Sequence, residues 1–327
     1  MCRPFYGTET DKAVASYGRG SVPRAFIRAY GEVKLAAVRA QQAAVHLYPD
    51  DYFPYLEKAV QNIIDGVYDS DFVIPLEQGG AGTSMHMNMC EVAAIAANDM
   101  YARTEGVGNF RAHPLDHLAK FQSTNDTFPT ALVIMVYREL DNIESLVVKL
   151  QEQLVKRETA YETVLMTGRT ELQDALPMTA GQLFSSWTGP VERDRWRISK
   201  LKERLRIIPL GGTAIGTGFS APKEFVFAEE RELRRITKLP LSRSQNLTDQ
   251  ISNADSFAEC ANGMGLCADN LVKLADDLLL YTSSMCGEMK HGELQYGSTI
   301  MPDKVNPVLL ELIRGRCMEC SALARLV

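Results

Sequence analysis

The chain has 327 residues, 46% of them apolar and 23% charged, a composition that excludes disordered, collagen-like and small disulfide-stabilised proteins. The formal net charge is −6 and no cluster of Lys and Arg stands out, so nucleic acid is not an expected partner. The longest apolar stretches, such as residues 131–137, are far shorter than the roughly 20 residues of a membrane-spanning helix. The first residues contain no apolar signal region, and we expect a cytoplasmic protein.

Seven cysteines are spread through the chain, and this odd number favours reduced thiols over a disulfide framework. Cys317 and Cys320 form a CxxC pair, but a second pair is missing and the flanking residues predict ordinary helical packing. The sequence therefore predicts neither a metal site nor a cofactor.

The first half of the chain contains few strand signals, of which residues 72–76 are an example. A long helix is predicted from Pro129 to about Glu162, where apolar residues recur at steps of three and four with charged residues between them. The recurring residues are Leu140, Ile143, Val147, Leu150 and Leu154.

Three further segments of the second half are predicted to be helical. Residues 184–208 alternate acidic and basic side chains around an apolar stripe, which favours a solvated helix over a nucleic-acid interface. A second helix is expected to begin near Asp255, with Gly263 and Gly265 allowing close packing, and a third begins after Pro307. The fold predicted is mainly all-α, with long helices bundled together.

Four segments rich in Gly, Ser, Thr and Asn interrupt this pattern, each beside a predicted helix end. They are residues 78–84, 122–127, 168–174 and 297–307. Any one of them is commonly a helix cap, but together they supply hydroxyls, amides, backbone N–H groups and a lysine, the donors that bind a carboxylate. A fifth segment, residues 211–218, lacks the Gly-Lys-Ser/Thr ending of a phosphate loop, so nucleotide binding is not favoured.

The sequence resembles one known family through these same segments. Residues 297–307, GSTIMPDKVNP, closely resemble the signature loop GSSxMPxKxNP of the fumarase/aspartase superfamily. The segments 122–129 (QSTNDTFP), 168–182 (GRTELQDALPMTAGQ) and 211–218 (GGTAIGTG) resemble other blocks of that family in the same order. The resemblance extends from about Phe5 to the end of the chain, and the sequence is identified as a member of the superfamily.

The resemblance implies a domain organisation. A mostly helical amino-terminal domain would cover residues 1–122, and a central helical bundle would cover residues 123–327 and end within its last long helix. The small carboxy-terminal domain of the family is expected to be absent, so the sequence is either a fragment or a shortened member. The family assembles as a homotetramer in which segments of three subunits form each active site.

The resemblance also implies a reaction. Residues 79–84, 123–126 and 221–224 look more like the aspartate ammonia-lyase branch than the class II fumarases, which implies elimination of ammonia from L-aspartate to give fumarate. The enzyme alternatives are fumarate hydratase or another fumarate-forming carbon–nitrogen lyase. Because scaffolds of this superfamily also serve as lens crystallins, the alternative from outside enzymes is a structural protein that has lost catalysis.

Position by position, the resemblance implies that Ser298 is the general base, on a mobile loop. The residues implied to bind the substrate dicarboxylate are Thr83, Ser84, Ser123, Thr124, Asn125, Thr170, Lys304 and Asn306. A solvated serine is a poor base, so we expect backbone N–H groups of the turn after Gly297 to stabilise the Ser298 alkoxide. Thr299 replaces the second Ser of the family signature and keeps its hydroxyl.

Glu171 is the most serious departure, because the family has His or Gln there and a carboxylate would repel a dicarboxylate substrate. Glu311 matches the family acid that partners that His. If Glu171 and Glu311 meet, we expect them to share a proton and act as a catalytic pair. Alternatively, Glu171 turns outward onto Arg or Lys, or it recognises a cationic or neutral group of a substrate other than aspartate.

Overall fold

A computed structural model describes residues 4–104, 110–293, 295, 297–301 and 304–327. Within these residues the chain is mainly helical, in agreement with the sequence prediction. The helices are α1 (Thr8–Tyr17), α2 (Arg24–Val45), α3 (Phe53–Asp65), α4 (Thr83–Thr104), α5 (Thr124–Ala160), α6 (Ala180–Leu205), α7 (Lys223–Thr237), α8 (Leu247–Ser252), α9 (Asp255–Thr282) and α10 (Val308–Ala324). The strands are β1 (Leu165–Thr170), β2 (Gln173–Thr179), β3 (Ile207–Ile208) and β4 (Ser242–Arg243).

The contacts divide the chain into two compact units. Unit 1 comprises residues 1–139 and 205–254, and unit 2 comprises residues 140–204 and 255–327. The predicted domain boundary between residues 122 and 123 refers to the family's domains and stays a prediction. None of the described helices is long and apolar enough to cross a membrane.

Unit 1 is built around α2, whose buried residues occupy most of its length. This helix packs against α3 and α7, and α4 packs against α1 and α3. Small side chains permit the close approach: Ala37 and Ala40 of α2 are fully buried against Phe225 of α7. The short parallel pair β3–β4 also belongs to this unit.

Unit 2 contains the antiparallel hairpin β1–β2 and the helices α9 and α10, which pack against each other. Its core includes Leu154, Leu183, Trp187, Val191 and Tyr281. Gly263 of α9 lies so close to Leu201 of α6 that an added Cβ atom would be 2.7 Å from a leucine methyl group. The predicted close packing at this glycine is therefore confirmed.

Two sequence predictions need correction. Residues 72–76 form no strand: Phe72, Val73 and Ile74 are buried, but the segment has no partner strand, and its Val73 carbonyl accepts from the N–H of Gly20. Burial therefore explains the apolar residues 72–74, whereas Leu76 is 57% exposed. The long helix begins at Thr124 rather than Pro129, because residues 123–126 supply its cap and Pro129 fits within its second turn.

Candidate active site

The segment 79–84 leads into the first turn of α4. Thr83 begins the helix, and its Oγ1 donates to the Gly80 carbonyl at 2.7 Å. Thr83 is exposed and Ser84 is half-buried, so both hydroxyls are accessible. Gly82 has a φ of 86°, and a Cβ atom there would overlap the ring of Phe128. This close approach brings segment 79–84 against the start of α5.

Ser123 and Asp126 cap α5 reciprocally. The Ser123 carbonyl accepts from the N–H of Asp126 and Thr127, the Ser123 Oγ accepts from the Asn125 N–H at 3.2 Å, and Asp126 Oδ1 accepts from the Ser123 N–H at 2.9 Å. The second carboxylate oxygen of Asp126 accepts from the Thr213 N–H at 2.9 Å. The cap thus fixes the backbone of the three predicted binding residues Ser123, Thr124 and Asn125.

The glycine-rich segment 211–218 supports this cap. The side-chain amide of Asn125 donates to the Ala214 carbonyl at 2.8 Å. Gly216 has a φ of 87°, and a Cβ atom there would collide with the backbone of Thr248. The glycines are needed for a compact turn that is fastened to the start of α5, which explains the segment without a phosphate ligand.

A buried charged cluster lies beneath the start of α5, and sequence reasoning missed it. Its members are Lys34 of α2, His86 of α4, Asp126 of α5 and Glu229 of α7, all of them no more than 4% exposed. Lys34 Nζ contacts His86 Nε2 at 3.1 Å, and His86 Nδ1 contacts Thr124 Oγ1 at 3.1 Å. The only signal in the sequence is a charged or titratable residue within an apolar helix face, which by itself is ambiguous.

Burial dominates the protonation of this cluster. Desolvation and the neighbouring Lys34 lower the pKa of His86 well below its usual range, so its imidazole is neutral. Desolvation raises the pKa of Asp126 to about 7, although the backbone N–H groups of Ser123, Thr213 and Thr127 and the charge of Lys34 oppose this rise. Desolvation, with Asp126 nearby, raises the pKa of Glu229 well above its usual range. Within the described part of the chain neither carboxyl oxygen of Glu229 has a hydrogen-bond partner, so we assign the proton to Glu229 and the negative charge to Asp126.

This assignment predicts a pH-dependent effect of Glu229→Gln, which mimics the protonated acid. A folded-state pKa above the unfolded value favours the fold only at low pH, and this contribution is lost as pH rises above about 4.3. Glu229 faces Asp126 and Lys34: a negative charge on Asp126 raises the pKa of Glu229 further, and Lys34 lowers it. Urea unfolding should show that the free energy of unfolding of Glu229→Gln exceeds that of wild type by about 1–3 kcal/mol at pH 8 and by little at pH 4. An equal effect at both pH values contradicts the assignment of the proton. The control is Glu224→Gln, at an exposed position of the same helix α7.

In unit 2 the hairpin β1–β2 places Glu171 at its tip. Thr170 pairs with Gln173, so Glu171 and Leu172 form a two-residue turn, and their φ angles are 52° and 64°. Thr170 and Glu171 are exposed. Positive φ at both turn positions matches the twist of a hairpin but is uncommon outside Gly, Asn and Asp. The turn therefore presents the Glu171 carboxylate outward, and no ion pair forms on it among the described residues.

The described residues of the segment 297–306 form a loop whose two ends meet, at Gly297 and at Asn306. Asn306 Nδ2 donates to the Gly297 carbonyl at 2.5 Å, and a Cβ atom added to Gly297 would overlap the Lys304 carbonyl oxygen. Inside this loop, Ser298 Oγ accepts from the N–H groups of Ile300 and Met301, each at 3.2 Å. These two N–H groups are the backbone donors that the sequence analysis expected in this turn, and donors of this kind are suited to stabilise negative charge on the oxygen. The role of Ser298 as the base stays a prediction. Pro302 and Asp303 of the signature lie outside the described residues.

The predicted site residues therefore fall into three groups. Thr83, Ser84, Ser123, Thr124 and Asn125 lie at neighbouring helix starts in unit 1, and Thr170 and Glu171 lie on the hairpin in unit 2. Ser298, Lys304 and Asn306 share the loop before α10, and Glu311 is exposed in the first turn of that helix. Among the described residues of unit 2, no hydrogen bond joins Glu171 to Glu311. Their predicted pairing stays a prediction.

A cleft of about 770 Å³ in unit 2 touches this loop only at its end. Asn306 is the one predicted binding residue among those that line it. Much of its wall is apolar and includes Phe184, Leu278 and Leu310. The polar donors expected around a dicarboxylate are therefore not gathered in this cleft.

Comparison with known proteins agrees with the predicted fold. A family model described as a lyase matches residues 6–321. The aspartate ammonia-lyase of Helicobacter pylori is 34% identical over 295 residues, which cover 89% of this chain and 63% of the relative. The class II fumarate hydratase of Xylella fastidiosa is 34% identical over 316 residues, which cover 94% of this chain and 65% of the relative. The chain thus spans less than two thirds of the length of these relatives.

A solved structure gives the same result for the fold. The fumarate lyase:delta crystallin from Brucella melitensis superposes with a TM-score of 0.91 at 32% identity, over 99% of this chain and 71% of that chain. The family model and the fold place this chain in a family of helical lyases. The chain belongs to the fumarase/aspartase superfamily.

Proposed function

We propose that this chain carries the elimination site of an ammonia-lyase that converts L-aspartate into fumarate and ammonia. The observation that carries the proposal is the closed loop 297–306, in which the Ser298 oxygen accepts two backbone N–H groups. The similarity to aspartate ammonia-lyases supports the choice of substrate. Lysine, amide and hydroxyl donors in the other segments are suited to two carboxylates.

In the proposed reaction, the Ser298 alkoxide removes a proton from the carbon beside one carboxylate. The electron pair of the broken C–H bond moves onto that carboxylate, which then carries two negative charges. That electron pair then returns to form the C=C bond, while the C–N bond of the neighbouring carbon breaks and ammonia leaves. Fixed N–H, hydroxyl and lysine donors stabilise the doubly charged intermediate better than water, which would have to reorganise.

The proposed donors for that intermediate come from the loop and from the helix starts. Lys304 is exposed in the loop, and its ammonium is available to a carboxylate. Asn306 uses one amide N–H to hold the Gly297 carbonyl, and its second N–H is available to the substrate. Thr83, Ser84, Ser123, Thr124, Asn125 and Thr170 are proposed to supply the other hydroxyl and amide contacts.

A homotetramer is the proposed assembly, because the site residues of one chain lie on separate elements and α10 exposes an apolar surface. Its side chains Leu309, Leu312, Met318 and Leu323 are each about half exposed. An apolar surface of this kind is normally covered by another subunit. Size-exclusion chromatography with light scattering tests this: a mass of four chains is expected, and a monomer at micromolar concentration contradicts it.

The rival function is fumarate hydration, which the similarity to class II fumarate hydratases favours. The two are separated by following fumarate absorbance after mixing the purified chain with L-aspartate or with L-malate. A rise with aspartate alone is expected. A rise with malate alone replaces the proposal by hydration, and no rise with either substrate leaves a scaffold without this catalysis.

Glu171 provides a second test of the proposed chemistry. If it shares a proton with Glu311 of another subunit, Glu171→Gln removes one titrating group from the site. The pH–rate profile of fumarate formation should then lose one limb, with kcat at its optimum lowered by about 10–100-fold. Glu162→Gln, an exposed carboxylate just before the hairpin, should keep the wild-type profile. Identical profiles for wild type and Glu171→Gln exclude the shared proton.

A further inference from the structure

The hydroxyl of Thr124 is contacted from the protein interior by a two-residue relay, His86 and Lys34. Lys34 is fully buried, and its Nζ lies 3.2 Å from the Leu118 carbonyl, 2.8 Å from Gln122 Oε1 and 3.1 Å from His86 Nε2. The orientation of the Gln122 amide is fixed, since its Nε2 donates to the Leu118 carbonyl at 2.9 Å. The three contacts account for the three N–H donors of a lysine ammonium.

This arrangement determines the tautomer of His86. An ammonium only donates, so His86 Nε2 accepts from Lys34. A neutral imidazole has one N–H, which is then on Nδ1 and points to Thr124 Oγ1 at 3.1 Å. The Thr124 oxygen accepts that bond, and its own hydrogen is left to donate elsewhere. Thr124 is only half-buried, at the first residue of α5, where a ligand can reach it.

We propose that His86 is a positioning residue, which receives a hydrogen bond from Lys34 and holds the Thr124 hydroxyl as a donor toward a substrate carboxylate. This inference rests on the proposed function for the identity of the ligand. The tautomer of His86 is inferred independently of that function. The opposite tautomer would make Thr124 donate to His86 and leave only an oxygen lone pair for the carboxylate, which is repulsive.

The tautomer is measured directly by long-range ¹H–¹⁵N NMR of the histidine rings at neutral pH. The resonances of His86 are assigned by their loss in His86→Gln, and the exposed His46 is removed in the control His46→Gln. The Nδ1–H form is expected for His86. The Nε2–H form or an imidazolium overturns the proposal, whatever the enzyme activity is.

The effect on the ligand is measured with succinate, an unreactive dicarboxylate, by calorimetry. His86→Gln and Thr124→Val are each expected to weaken binding about tenfold, the size of one hydrogen bond to a charged group. The double variant should bind as Thr124→Val does, because His86 acts through Thr124. Thr124→Ser keeps the hydroxyl and should keep the dependence on His86, while His46→Gln should bind as wild type does.

The outcomes separate the two proposals. Losses that add in the double variant overturn the positioning role of His86, because they show that the two side chains act independently. If the wild-type chain binds no succinate but His86 has the Nδ1–H form, the proposed function fails and the orientation of Thr124 stands. Circular dichroism of each variant establishes that a loss of binding does not come from unfolding.

Discussion

Replacing Ser298 with alanine is expected to lower kcat for fumarate formation from L-aspartate by about 10²–10⁴-fold, the usual contribution of a general base. The fold should not change, because Ser298 lies in a loop and, among the described residues, its side chain is hydrogen-bonded to Ile300 and Met301 of the same turn. Succinate should still bind to Ser298→Ala, since the proposed carboxylate donors are other residues. Steady-state kinetics and calorimetry measure the two effects separately.

Thr299→Ala is the matched control for this prediction. Thr299 is exposed and carries the neighbouring hydroxyl. Its removal should change kcat by less than about tenfold, because it is not the proposed base. If Thr299→Ala and Ser298→Ala lower kcat equally, or if Ser298→Ala retains near-normal turnover, Ser298 is not the base.

Gly297→Ala is expected to have a comparable effect without removing any functional group. The added Cβ atom would overlap the Lys304 carbonyl oxygen, so the loop cannot close in the observed conformation. Opening the loop displaces Lys304 and the Asn306 amide from the turn that holds Ser298. We expect kcat/KM to fall by at least about 10²-fold, the loss that follows removal of one preorganised oxyanion donor.

Gly292→Ala is the control for the backbone effect. No atom of the described residues lies within 4 Å of a Cβ added at Gly292, so this substitution should leave kinetics unchanged. The melting temperatures of both variants should stay close to that of wild type, since the loop contributes little to the core. Wild-type kinetics for Gly297→Ala would show that the closed loop is not needed for catalysis.

The long helices were predictable because their apolar side chains repeat at helical spacing over many turns. The predicted helices near Asp255 and after Pro307 are α9 and α10, and the stretch 184–208 lies almost entirely within α6. Over short stretches the spacing of apolar side chains does not identify the secondary structure. Tertiary packing buries Phe72, Val73 and Ile74 while Leu76 is 57% exposed, and a short apolar run cannot distinguish a strand from an irregular segment.

The hairpin β1–β2 was missed because its turn lacks the usual signal. Two-residue hairpins normally have Gly, Asn or Asp where φ is positive, whereas this chain has Glu171 and Leu172. Its strands also expose most of their residues, so no alternation of buried and exposed side chains marks them in the sequence. The position of Glu171 at the tip of a turn became visible only in the structure.

The candidate site was likewise predictable from the sequence only in part. The loop 297–307 was recognisable from its motif, and backbone donors for Ser298 were expected from the turn that follows Gly297. The buried cluster behind Thr124 was not predicted, since Lys34 and His86 stand far apart in the sequence within apolar helices. Their relation depends on how α2 and α4 approach the start of α5, which residue spacing along one chain does not encode.

Proton transfer by Ser298 can be followed in the reverse reaction, the addition of ammonia to fumarate. Fumarate and ammonium are incubated with the chain in deuterium oxide, and the aspartate formed is examined by proton NMR. Because the Ser298 hydroxyl exchanges with solvent, wild type and Thr299→Ala should give aspartate with one deuterium on the carbon that receives the proton, and Ser298→Ala should give none at comparable times. Equal formation of deuterated aspartate by Ser298→Ala, or no formation by wild type, would contradict proton transfer by Ser298.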